Sequence, residues 1–246
     1  GKDISSVEEL KGQSFAIPSR FSTHNILLYE MLKKHNIGYD ELDVIELAPA
    51  EMPAALAEGR IGGYVVAEPF GAISVALENG NVLYQSEDIW QDSIDCGLVL
   101  RGQFIENNKE LVQSFVDDYI AGGDLAQHKD DHTHDVVSEY LTVEKDVLDL
   151  SLQWISYDNL AIEKDSYDVL RNALIEMELS KNPPAYEDFI EKVFTDCTRV
   201  YLANRRLAIG YHYRWASSRA LPSSVKSRRS AVWHHHGWLH FHPYPN

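Results

Sequence analysis

Short apolar runs alternate with longer amphipathic ones along the first part of the chain, and the two rhythms predict different elements. Phe15-Ala16-Ile17 is a compact apolar run broken by Pro18, which predicts a strand over Ser14–Ile17. Ile26, Leu27, Met31 and Leu32 recur at helical spacing. Lys33 and Lys34 stand at the end where cations suit the helix dipole, and together these predict a helix over Asn25–Lys34. The pair of rhythms then repeats. It predicts a strand over Asp43–Leu47, then a helix over Ala50–Arg60 with Pro53 in its first turn and Gly59 at its end. A strand over Gly63–Ala67, a helix over Phe70–Leu77 and a strand over Asn81–Tyr84 follow. A short amphipathic lead-in, Ile4–Gly12, precedes them all. Strands joined through single helices predict a parallel sheet with right-handed crossovers.

Asp95–Arg101 reads as one further strand, and beyond it the period is helical. Asn108–Ala121 carries Leu111, Val112, Phe115, Val116, Tyr119 and Ile120 on one face. Helices are also predicted over His134–Leu141, Glu144–Trp154, Lys164–Leu179 and Tyr186–Phe194, with an extended stretch over Ser156–Leu160. There is no internal repeat. The expected class is α/β, a parallel or mixed sheet flanked by helices.

Ligands of open parallel sheets bind at the carboxyl ends of the strands. Two polar clusters fall there. One is the loop after the first strand, with Ser19, Arg20, Ser22, Thr23 and His24 just before a helix start. Hydroxyls, a guanidinium and an imidazole beside free helix-terminal N–H groups suit a small anion or polar solute. Ser22 or Thr23 is also a natural N-cap. The other cluster is Glu68, in Glu68-Pro69-Phe70 at the end of the third predicted strand. Glu68 could serve as a general base, but no nucleophile or metal ligand is paired with it in sequence.

Charge narrows the field. The net charge of the 246 residues is -16, yet the last acidic residue is Asp196. Eight Lys and Arg follow it, so the part before them carries about -24. Phosphates are repelled by such a body, which argues against nucleic acid as a partner. No run approaches the ~18 apolar residues of a membrane span, and no signal peptide is visible at the N-terminus. Cys96 and Cys197 have no ligand spacing. His128, His132 and His134, interleaved with Asp130, Asp131 and Asp135, fit no zinc or calcium pattern and read as a solvated turn. Trp90 and Trp154 read as core. No cofactor motif is present.

The string ELKGQSFAIPSRFSTHN, followed by APAEMPAALAEGRIGGYVVAEPFGA, resembles the solute-binding receptors of ABC importers. The resemblance is to the nitrate, sulfonate, bicarbonate and taurine branch, which includes thiamine-precursor receptors. It is carried by Leu10-Lys11-Gly12, by the strand–Pro18–polar-loop–helix unit, by Met52-Pro53-Ala54-Ala55-Leu56 with Gly59, and by Ala67-Glu68-Pro69-Phe70. DIWQD, LVLRGQFIENNKELVQSFV and the closing helices extend it to about Asp196. It implies a type II periplasmic-binding-protein fold of two lobes closing on the solute, with the first lobe incomplete here. It implies residues 1–94 as the second lobe and 95–197 as a mainly helical return into the first. The face of Asn108–Ala121 would then lack its cover.

By the same resemblance, Thr23-His24 matches a Thr-His pair whose His touches the anion, and Glu68 matches a Glu-Pro pair at the cleft or hinge. Gln91 or Asp92 lies where such receptors place a polar cleft residue. The implied function is binding a small anionic or polar solute, without chemistry, for delivery to the permease membrane subunits. The implied location is periplasmic or extracytoplasmic, with a signal peptide in the full-length form. Two alternatives share the fold. Pyrimidine-precursor synthases need a Cys-rich motif that two cysteines do not supply, and effector domains of transcription regulators need a DNA-binding helix pair upstream. Residues 198–246, basic and holding six of the eleven His, are expected to be disordered or a reading-frame artefact unrelated to the fold.

Overall fold

A computed structural model describes Gly1 and residues 3–195; the basic tail predicted over 198–246 lies outside the described residues. The element order begins β1 (Ser14–Ile17), α1 (Thr23–Lys34), β2 (Asp43–Glu46), α2 (Met52–Ala57), β3 (Gly63–Tyr64) and α3 (Phe70–Ala76). It continues with α4 (Ser86–Ile89), α5 (Gly102–Asn107), α6 (Lys109–Ala126), α7 (Asp131–Ser138), α8 (Lys145–Trp154), α9 (Lys164–Glu176) and α10 (Tyr186–Phe189).

The strands form one parallel sheet in the order β2-β1-β3. β1 is central, and its apolar run is buried on both faces because side chains alternate across a strand. Phe15 and Ile17 pack with Val7, Leu10, Leu28, Met31 and Leu32 on the α1 side. Ala16 packs on the other side with Met52, Ala55, Leu56 and Ile61. Gly12 and Gly59 take positive φ angles of 74° and 69°, which lets the chain turn into β1 and out of α2 without a Cβ clash. The later helices fold back on this unit. α8 packs against α3, and α9 packs against α1. The α9 contact closes a third cluster of Ile26, Leu27, Trp90 and Ala173.

Several sequence expectations are corrected. Asn81–Tyr84 and Asp95–Arg101 are not strands. A strand exists only where a neighbour completes its ladder. β3 holds just two residues in register with β1, and no strand adds to its outer edge among the described residues. Leu98 and Val99 are correspondingly 45% and 83% exposed. The single helix predicted over Ala50–Arg60 is a 3-10 turn, Pro49–Glu51, followed by the shorter α2. The last predicted helix is interrupted: α10 stops at Phe189, residues 190–192 are irregular, and helix resumes at Val193. α4 and α5 were not predicted. α6 buries Val112 and Val116 while Leu111, Phe115 and Tyr119 stay exposed.

Candidate functional site

The loop between β1 and α1 is built by a buried amide. Asn25 Nδ2 donates to the Arg20 carbonyl at 2.8 Å, and Asn25 Oδ1 accepts from Tyr39 Oη at 2.7 Å. Ser22 is the N-cap residue of α1, but its side chain caps nothing. Its hydroxyl donates instead to the Ser19 carbonyl at 2.7 Å. Arg20 is exposed, and its backbone N–H donates to Glu46 Oε1.

Thr23 and His24 both turn toward Asp95. Thr23 Oγ1 donates to the Asp95 carbonyl at 3.3 Å, and His24 Nε2 stands 3.4 Å from Asp95 Oδ1. The His24 side chain is only 14% exposed. Burial holds its pKa below the ordinary histidine value, with the Asp95 carboxylate pulling the other way. At neutral pH the imidazole is therefore held in its neutral form.

Glu68 follows β3 and precedes α3, joined to Pro69 by a cis peptide bond. Its Oε2 accepts from the Ala72 N–H at 3.0 Å and from Ser151 Oγ of α8 at 3.1 Å. Burial raises its pKa above the usual glutamate value, and the two hydrogen bonds oppose that shift. Nearby, Tyr64 Oη lies 2.8 Å from the Phe70 carbonyl and 2.6 Å from Ser74 Oγ. Asp92 is exposed at φ 51°; its N–H donates to Glu87 Oε2 at 3.0 Å, and its carbonyl accepts from Ser166 Oγ at 2.5 Å.

A cleft of about 900 Å³ opens beside β3 and the stretch that follows it to Glu68. It is lined by the stretches 62–68, 80–87 and 92–96, by residues 154–163, and by His24. His24, Glu68 and Asp92, three of the sequence-predicted site residues, are among its lining. Arg20, Ser22, Thr23 and Gln91 lie outside its lining. Trp154 lines the cleft instead of the core, whereas Trp90 is 3% exposed and fully packed. Asp95 and Ser151 are partners that sequence reading did not single out. They lie 72 and 83 positions from Thr23 and Glu68, so no local spacing marks them. Among the described residues no group of three or more His, Cys, Asp or Glu could hold a metal ion. The His-rich stretch read as a turn is mostly helix: Asp131, His132, His134 and Asp135 lie on α7, Asp130 caps it through the Thr133 N–H, and His134 Nδ1 meets Asp149 Oδ1 at 3.2 Å.

A parallel three-stranded unit with helices returning over a cleft beside its carboxyl edge is a periplasmic-binding-protein-type architecture. The chain belongs to the NMT1-like family, whose model matches residues 2–142. The ligand-binding component of an ABC-type import system from Staphylococcus aureus, solved with zinc bound, is 39% identical. That match covers 74% of this chain and 62% of the other, with a TM-score of 0.66. The periplasmic aliphatic sulphonate-binding protein SsuA from Escherichia coli shares 16% identity over 73% of this chain and 59% of its own, with a TM-score of 0.63. The alkanesulfonate-binding protein SsuA from Xanthomonas axonopodis pv. citri, bound to MOPS, shares 18% identity over 72% and 60%, with a TM-score of 0.54. At these lower identities the likeness is one of fold. The chain thus spans about three fifths of the length of these relatives. No curated protein sequence matches it.

Proposed function

We propose that this chain is part of the extracytoplasmic solute-binding component of an ABC importer. It would hold a small polar solute in the cleft beside β3 and present it to the permease membrane subunits without performing chemistry. The observation that supports this most is the convergence of His24, Glu68 and Asp92 on one cleft, in a chain 39% identical to a ligand-binding component of an ABC-type import system. His24, Glu68 and Asp92 are the solute contacts in this reading. Asn25 and Ser22 shape the loop, and Asp95 positions His24. Closure of lobes about a hinge would enclose the solute.

The test is ligand-dependent stabilisation of the full-length protein. At 100 times Kd, a solute that binds only the folded state adds about 2.7 kcal/mol. For a domain of this size that raises Tm by about 5–10 °C. The panel should span small anions, neutral polar solutes, organic cations and thiamine precursors. No shift with any class would end the receptor reading.

A further inference from the structure

The charges around the cleft are of one sign. Its described lining includes the carboxylates of Glu68, Glu87, Asp92, Asp95, Asp158 and Glu163, and no Lys or Arg. The cations of the neighbouring loop and helix are engaged elsewhere. Lys33 Nζ meets Glu176 Oε2 at 2.6 Å, Lys34 Nζ donates to the carbonyls of Asp88 and Ile89, and Arg20 lies outside the lining. Glu68, Glu87, Asp92 and Asp158 form no ion pair with a Lys or Arg among the described residues. Among the described residues, Glu68 and Glu87 accept from neutral donors. His24 is kept neutral by burial and adds no positive charge at pH 7.

The rings add a second, independent preference. Tyr64, Tyr84, Tyr119, Trp154 and Tyr157 line the same cleft. Tyr64 and Tyr84 have their hydroxyls engaged, with Ser74 and with His35 Nε2, so neither brings a free O–H to the cleft. An aromatic face is electronegative and attracts cations. Carboxylates beside it, with no Lys or Arg in the described lining to offset them, repel an anion and attract a cation most strongly where water is displaced.

We propose that the cleft binds a small organic cation, a protonated or quaternary amine, between its carboxylates and its aromatic rings. This rests on the receptor reading and assigns the charge of its solute. A bare divalent metal fits less well, because no group of three or more ligating side chains is assembled among the described residues.

The experiment compares choline with its neutral isostere 3,3-dimethylbutan-1-ol on the full-length protein, by calorimetry and thermal shift at fixed ionic strength. Ethanesulfonate, nitrate and zinc chloride are run alongside. Choline is expected to bind at least about tenfold more tightly than the isostere, a difference that raised NaCl reduces by screening. The ligand pair varies the charge without altering the protein, so the comparison does not depend on any variant folding. Glu68→Gln combined with Asp92→Asn should erase the choline preference. Equal affinity for choline and the alcohol overturns the proposal. So does stabilisation by ethanesulfonate, nitrate or zinc alone, although the receptor reading then stands. Stabilisation by no solute of any class removes both.

Discussion

The contact between Glu68 and Ser151 joins two parts of the chain that the sequence keeps far apart, and it can be weighed. Ser151→Ala removes one of the two hydrogen-bond donors on the Glu68 carboxylate. A hydrogen bond to a charged group is worth about 1.5–3 kcal/mol when buried. Glu68 is only partly buried, so screening trims this to about 1 kcal/mol, or a Tm fall of roughly 2–4 °C at pH 7. Glu68→Gln keeps an acceptor for the Ala72 N–H and removes a charge that burial disfavours. It should therefore alter stability by less than about 0.5 kcal/mol at pH 7. In the Glu68→Gln background, Ser151→Ala should cost less than it does alone, leaving a coupling of about 0.5–1 kcal/mol.

The pH dependence has a definite sign. The folded-state pKa of Glu68 is raised, so the folded protein binds its proton more tightly than the unfolded chain does. This group's contribution falls as pH rises from the ordinary glutamate value through the raised one, and Glu68→Gln should flatten that part of the profile. The assay is urea denaturation between pH 4 and 7 on the four proteins of the cycle. Additive single substitutions, or a Glu68→Gln protein destabilised by more than Ser151→Ala at pH 7, would refute the reasoning.

Two further outcomes follow from the structure. His24 has a lowered folded-state pKa, so its contribution is present above the ordinary histidine value and is lost as pH falls through that value toward the folded one. Denaturation midpoints of His24→Asn should accordingly change less between pH 7 and pH 5 than those of the parent; an unchanged slope would remove burial as the cause. Leu28 is 1% exposed in the cluster beneath β1. Leu28→Ala should cost about 2–5 kcal/mol, enough to leave much of the protein unfolded at 37 °C by circular dichroism, and a loss below 1 kcal/mol would mean that this cluster is not the core.

The central β-α-β-α-β-α run was legible because each of its elements is marked locally. Phe15-Ala16-Ile17 needs burial on both faces, the stripe from Ile26 to Leu32 needs a helix, and Gly12 and Gly59 occupy turns that require positive φ. Those features depend on neighbours a few residues away. So did the placing of His24 and Glu68 near the carboxyl ends of the strands. The failures share a cause as well. Asn81–Tyr84 and Asp95–Arg101 carry apolar patterns suited to strands, but a strand is a pairwise structure, and no described neighbour pairs with them.

Which polar residues gather was likewise decided by tertiary structure. Ser22 could have capped α1 on sequence grounds, yet its hydroxyl is satisfied by the Ser19 carbonyl. Arg20 could have faced an anion, yet it lies outside the cleft that His24, Glu68 and Asp92 share. The partners that oppose the effect of burial on His24 and Glu68, namely Asp95 and Ser151, come from distant segments. By itself the sequence determined most of the central elements and the parallel sheet type, and it placed His24 and Glu68 near the carboxyl ends of the strands. Only the packing of the later helices onto that sheet decided which side chains line the cleft and what charge they present, because those contacts join residues whose separation along the chain carries no periodic signal.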